Sequence, residues 1–220
     1  QGALVAAAPD HVEPDEVGPI DVQSKNGVVD VRVRDEVEAV VAAKKVLSYF
    51  QGELPTFTAA DQTMLREALP ENRRRAYKLR PILQCVCDTD SVFELRPDFG
   101  RSMVTALARI GGRPVGIIAN DTFHIAGAID SNAADKAARF MQLCDAFGLP
   151  ILSFCDTPGF MVGPPAEATA LVRHAARMFA TAGSLSVPMI TVVLRRGYGL
   201  GAQAMSGGHF HAPFLTVAWP

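Results

Sequence analysis

Residues 151–160 read ILSFCDTPGF. Ile151, Leu152, Phe154 and Cys155 form a short apolar run, bounded by Asp156-Thr157-Pro158-Gly159, where Pro and Gly impose a sharp turn. A run of this length suits a strand covered on both faces. Upstream, Ser131 is placed to cap a helix whose Ala134, Ala137, Ala138, Met141, Leu143, Cys144 and Phe147 recur about every 3.6 residues. Gly148 suits its end. Downstream, Pro165 and Glu167 open a second helix, with the stripe Leu171, His174, Ala175, Met178 and Phe179 and a stop at Gly183. Met189 to Leu194 is the next apolar strand. Strand and helix alternating through short links imply parallel crossover units. The fold class is therefore α/β, with function expected at the carboxyl ends of the strands.

Further outward, Met103 to Ile110 and Val115 to Ala119 read as two strands joined by the tight turn Gly111-Gly112. Phe214 to Ala218 closes the pattern as another strand. Residues 1–38 are acidic and broken by Pro9, Pro14 and Pro19, with Asp10 and Asp15 among the acids. Val28 to Val33 alternates loosely, as a strand would, and Asp35 opens a helix reaching about Phe50. Residues 51–63 have no period and read as a linker. Arg66, Arg73, Arg74, Arg75, Lys78 and Arg80 form a basic cluster, either a solvated helix face or a landing site for a phosphorylated ligand.

The bulk numbers exclude several classes. With 220 residues, 49% of them hydrophobic, the chain can bury one substantial core. A net charge of −2 gives no reason to expect nucleic acid. No apolar run is long enough for a membrane span, and no secretory signal is present. Cys85, Cys87, Cys144 and Cys155 are expected as reduced thiols in a cytoplasmic protein. The chain starts at Gln1 and stops at Pro220 straight after a strand, as a piece of a longer polypeptide would.

A second strand end carries the stretch RRGYGLGAQAMSGG, residues 195–208. A phosphate cradle would need Gly-Lys-Ser/Thr, which is absent. A dinucleotide fingerprint is met loosely by Gly199, Gly201 and Ala204, but no Asp or Glu follows Glu167 to hold a ribose. A nucleophile elbow needs a serine that this frame lacks. An oxyanion hole of main-chain amides needs only small residues between a strand and a helix. A close crossing of helix and sheet would use the same glycines, so both readings stay open. The turn at Gly159 and Phe160 likewise keeps its amides clear of crowding side chains. Asn120, His124 and His174 could line a pocket or be structural. His209 and His211 lack a third ligand, so no metal site is expected. Arg173, Arg177, Arg195 and Arg196 suit a carboxylate, a ligand phosphate or plain surface.

The chain resembles the carboxyltransferase component of biotin-dependent acyl-CoA carboxylases, the acetyl-CoA and propionyl-CoA carboxylase β-subunit type within the crotonase-like superfamily. The resemblance covers residues 100–220. It rests on Gly112 to Asn120 (GRPVGIIAN), Ala126 to Asp130 (AGAID), Asp135 to Phe140 (DKAARF), Cys144 to Phe147 (CDAF), Asp156 to Phe160 (DTPGF), the glycine loop through Ser206, and Ala218-Trp219-Pro220. Gly18 to Asp30 and Leu47 to Phe50 look like the tail of the family's first domain.

The resemblance implies a crotonase-like ββα spiral, divided here into residues 1–63, the first domain's tail and linker, and 64–220, a nearly complete biotin-side domain. It implies carboxyl transfer from carboxybiotin, borne by a carrier protein, to an acyl-CoA of the acetyl or propionyl class. The amides of Leu200 and Gly201 align with the pair that holds the biotin ureido oxygen, flanked by Gly199 and Ala202. Family members often show Gly-Ala where this chain has Leu200-Gly201, and a slip of one residue would make the pair Gly201 and Ala202. Gly159, Phe160, Tyr198 and Asn120 fall on the biotin side, and Gln203 falls where the family reads the acyl chain. The implied partners are acyl-CoA, the biotin carboxyl carrier protein, biotin carboxylase and further copies in a dimer-based assembly up to a hexamer. A biotin-dependent decarboxylase of the same fold, or a non-catalytic segment keeping only the assembly surface, are the rival readings.

Overall fold

The computed structural model describes residues 13, 16–72 and 74–220. The expectations placed on Pro9, Asp10, Pro14, Asp15 and Arg73 lie outside them. Helices α1 (Ile20–Lys25), α2 (Glu36–Ser48) and α3 (Leu79–Val86) precede the sheet. Then come β1 (Phe93–Leu95), β2 (Met103–Ile110), β3 (Arg113–Asn120), α4 (Ser131–Ala146), β4 (Ile151–Thr157), α5 (Pro164–Ala168), α6 (Leu171–Gly183), β5 (Met189–Gly197), α7 (Gly199–Met205) and β6 (Leu215–Ala218).

The six strands lie in sequence order. β1–β2 and β2–β3 pair antiparallel, whereas β3–β4, β4–β5 and β5–β6 pair parallel, as the alternating pattern required. Gly111 and Gly112, at φ +61° and +78°, make the β2–β3 turn, whose left-handed positions match the twist of a hairpin.

Both faces of the sheet are covered, and β2 shows how. Met103 and Leu107 pack with Ala134, Ala137, Met141 and Met178 from α4 and α6. Val104, Ala106 and Ala108 pack with Leu79, Ile82 and Leu83 of α3. Alternate residues thus feed opposite layers, which is why the strands read as unbroken apolar runs. Lys136 of α4 is buried within this arrangement and donates to the Phe99 carbonyl at 2.9 Å.

Several local expectations are corrected. Asp130, not Ser131, caps α4, its carboxylate accepting from the Ala133 amide at 2.8 Å. The helix expected from Pro165 is two helices, α5 and α6, separated at Ala170 with φ +56°. Val28 to Val33 form no strand; their backbone runs irregularly, and Asp30 accepts from the Arg96 amide instead. The basic cluster is no helix face: of its described members only Arg80 lies on an α-helix, where it pairs with Glu94 and Asp121. Cys85 lies in the last turn of α3 and Cys87 caps its end, and all four cysteines are free thiols. Asp35 does cap α2, accepting from the Glu38 amide at 2.8 Å. Residues 51–60 strap the hairpin, with Leu54 donating to the Gly112 carbonyl and Thr89 to that of Thr58. Among the described residues, no helix is long and apolar enough to cross a membrane.

Candidate active site at two adjoining strand ends

β4 and β5 both run past the ends read from the sequence, to Thr157 and Gly197. Their register slips on the way. Cys155 pairs with Val193, but Thr157 pairs with Gly197, so one residue of β4 faces three of β5. That bulge delivers the two glycine-bearing turns side by side. The Tyr198 amide donates to the Thr157 carbonyl at 3.3 Å. A Cβ on Gly201 would stand 2.7 Å from the Gly159 Cα, so the turns touch backbone to backbone and a bare residue is what lets them close.

The main-chain donors divide clearly. Tyr198 is the N-cap of α7 and Gly199 follows at φ +57°. The Ala202 amide bonds to the Tyr198 carbonyl at 3.3 Å, the first bond of the helix. The amides of Gly199, Leu200 and Gly201 have no acceptor within the described residues, as first-turn amides lack one by geometry. Leu200 and Tyr198 are exposed, whereas Gly201 and Ala202 are buried. On the facing turn, the Gly159 amide is taken by Thr157 Oγ1 at 3.1 Å, and the Gly159 carbonyl accepts from Ile129 at 3.0 Å. The Phe160 amide makes no bond among the described residues, and its ring lies 6.2 Å from that of Phe179.

The other candidates fall in different places. Asn120, at the end of β3, is fully buried; its Oδ1 accepts from the Asp156 amide at 3.1 Å, and its Nδ2 has no partner among the described residues. Gln203 is half-buried on α7, its carbonyl accepting from Ser206 and Gly208. His174 faces Asp135 of α4 at 3.7 Å, away from the turns. His209 and His211 stack on each other near the surface, ring centres 5.1 Å apart.

Arg195 and Arg196 are neither plain surface nor open to a ligand through their Nε atoms. Both donate from Nε to Asp156, at 2.8 Å each, and Tyr77 donates its hydroxyl to the same carboxylate at 2.9 Å. Asp156 is fully buried, and Arg195 lies over the Tyr77 ring. Burial first, then the Asp156 charge, raises the Tyr77 phenol above its ordinary pKa. Sequence reading passed over Asp156 and Tyr77. The available signal was an acid at one strand end beside paired arginines at the next.

Pro158, Tyr198, Gly199 and Leu200 on the two turns are exposed to solvent. A cavity of about 490 Å³ lies elsewhere, beneath α2, lined by Val46, Phe50, Leu95, Lys136 and Phe140 among others. Among the described residues no group of three or more His, Cys, Asp or Glu side chains is placed to hold a metal.

Comparison with known proteins gives a consistent pattern. Residues 12–220 match the model of the carboxyl transferase domain. The chain is 37% identical over 207 residues to the biotin-dependent acetyl-/propionyl-coenzyme A carboxylase beta6 subunit of Mycobacterium tuberculosis, covering 92% of this chain and 44% of that protein. It is 34% identical over 203 residues to the methylmalonyl-CoA carboxyltransferase 12S subunit of Propionibacterium freudenreichii, covering 89% and 38%. Among solved structures, it matches a single-chain, multi-domain long-chain acyl-CoA carboxylase at 52% identity and a TM-score of 0.93, over all of this chain and 22% of that one. It matches the hexameric transcarboxylase 12S at 31% identity and a TM-score of 0.86, over all of this chain and 44% of that one. The chain thus spans less than half the length of these relatives.

Proposed function

We propose the biotin-side half of an acyl-CoA carboxyltransferase site for this chain, which belongs to the carboxyl transferase domain family and has its crotonase-like fold. The observation that carries the reading is the row of amides on Gly199, Leu200 and Gly201, which lack internal acceptors at the tip of a sheet strand. These residues fit a ureido carbonyl: donors stand unspent, Gly199 and Gly201 put no side chain in the way, and the exposed Tyr198 and Leu200 offer apolar surface to a ring. Bound there, carboxylated biotin on a carrier protein would supply the carboxyl group and a ring nitrogen able to take the α-proton.

The chain's own part is to hold and polarise. The Leu200 and Gly201 amides would grip the ureido oxygen as it gains charge, each worth about 3 to 4 kcal/mol if it matches a typical oxyanion donor. The Ala202 amide, engaged by Tyr198, favours this pair over one shifted by a residue. Gly159 and Phe160 would wall the facing side, with Asn120 buried behind them, and Gln203 would meet the acyl chain. The 52% identity to a long-chain acyl-CoA carboxylase, against 34–37% to the acetyl-/propionyl- and methylmalonyl-CoA proteins, favours a long acyl group. Biotin carboxyl carrier protein, biotin carboxylase and further copies of the chain are the partners this reading requires. Four unpaired thiols support a reducing, cytoplasmic setting.

The test is carboxyl exchange between biotin and acyl-CoA by the intact protein that carries these residues, over a series of acyl lengths. Exchange with net carboxylation supports the reading. Decarboxylation alone would reassign the direction, and assembly without either activity would leave only an interaction surface.

A further inference from the structure

We infer that Asp156 is a positioning residue that sets how the two turns meet, acting through Arg196; the inference rests on the functional reading above. In a regular strand, successive side chains point to opposite faces. Arg195 and Arg196 are successive, yet both reach one carboxylate, with Nε to Oδ2 and Nε to Oδ1 at 2.8 Å each. The bulge opposite Asp156 makes this possible, since it sets Leu194, Arg195 and Arg196 against a single residue of β4. The grip then spreads. Arg196 donates to the Ala126 carbonyl at 2.6 Å, and Arg195 to that of Arg75 at 2.7 Å. The Asp156 carbonyl abuts Gly127, where an added Cβ would stand 2.4 Å away.

Position along the chain turns this cluster into a lever. Asp156 is one residue before Thr157, whose carbonyl and hydroxyl hold Tyr198 and Gly159. Arg196 is three residues before Gly199, where the unspent amides begin. Any shift of Arg196 away from Asp156 is carried by Gly197 and Tyr198 into those amides. A cluster built for stability alone would not need both arginines at the bulge beside the donors.

The experiment uses the intact protein, changed Asp156→Asn and Arg196→Gln singly and together. Carboxyl-exchange kcat and KM for the biotin carrier are measured per folded molecule, with amide hydrogen exchange followed over residues 197–202. The expected result is a kcat lower by about 10- to 100-fold with KM changed less than about threefold, as for misplaced rather than missing groups. The double variant should lose no more than the worse single one, because the two residues act as one unit. Hydrogen exchange at Tyr198 and Ala202, whose amides are bonded to the Thr157 and Tyr198 carbonyls, should quicken in each variant. A folded Asp156→Asn protein with kcat within about twofold of the parent, or losses that multiply in the double variant, would overturn the inference. If Asp156→Asn fails to fold, Arg196→Lys keeps the charge while losing the fork that spans Asp156 and Ala126, and the same split is read there. An inactive parent protein would defeat the functional reading instead, and hydrogen exchange would still decide the positional one.

Discussion

Replacing Leu200 by proline removes one donor and little else. The Leu200 amide has no internal acceptor, so no hydrogen bond of the fold is lost. The side chain is 63% exposed, so little apolar burial is lost either. Residue 200 lies in the first turn of α7, where a proline ring meets no preceding helical carbonyl, and Gly199 has no Cβ for the ring to strike. Proline is tolerated in the first turn of a helix, where no intrahelical bond is forfeited, so stability should fall by about 1 kcal/mol or less. Turnover should fall far more. Loss of one oxyanion donor corresponds to about 3 kcal/mol or more, a 10²- to 10³-fold drop in kcat. Leu200→Ala keeps the amide but trims the apolar surface offered to the ring, so it serves as the comparison: KM should rise while kcat stays within about threefold of the parent. The assay is carboxyl exchange on the intact protein beside a thermal melt of each variant. A folded Leu200→Pro protein that turns over like the parent would refute the donor assignment. Equal losses in the proline and alanine variants would shift the role from amide to side chain.

Two further outcomes test the surrounding structure. Gly127 has φ +80°, and an added Cβ would lie 2.4 Å from the Asp156 carbonyl oxygen, so Gly127→Ala should destabilise by about 2 to 4 kcal/mol through combined strain and overlap, read as a lower urea midpoint. Lys136 is buried, and desolvation lowers its pKa to about 8, against 10.5 in the unfolded chain. Between those values the unfolded chain binds the extra proton, so this group's contribution to stability rises as pH increases from about 8 to 10.5. The buried thiols of Cys87, Cys144 and Cys155, raised from 9.0 to about 12, act in the opposite sense from about 9 upward, overlapping the upper part of that range. The difference between the parent and Lys136→Met in urea unfolding at several pH values isolates the lysine. A difference independent of pH would show that its ammonium is solvated.

The layered core was legible because both of its signals are local. The apolar run of β2 and the helical stripe on α4 each follow from burial, on both faces of the strand and on one face of the helix, and Gly111-Gly112 names its turn by backbone conformation alone. The corrections share a different cause. Asp130 and Ser131 are both good caps, and only the chain's direction into α4 from the preceding turn decides between them. The break at Ala170 is a left-handed residue without a glycine to announce it. The site was half legible. Glycines at 199 and 201 marked a place for bare amides, but which amides are spent depends on where α7 starts, which spacing alone leaves open by a residue. The Asp156 cluster was only hinted at by an acid at one strand end and paired arginines at the next, because their meeting depends on strand register, a long-range property, and on a bulge that no local pattern encodes.

The unspent amides at residues 199–201 also have a bearing on mutational surveys. A peptide N–H survives every natural substitution except proline. A scan that trims side chains to methyl groups would therefore register Leu200 as dispensable, and at Gly201 the added methyl would report the close approach to Gly159 and not the amide. Swapping the amide linkage for an ester at a single residue is the chemistry that would expose what such a scan overlooks.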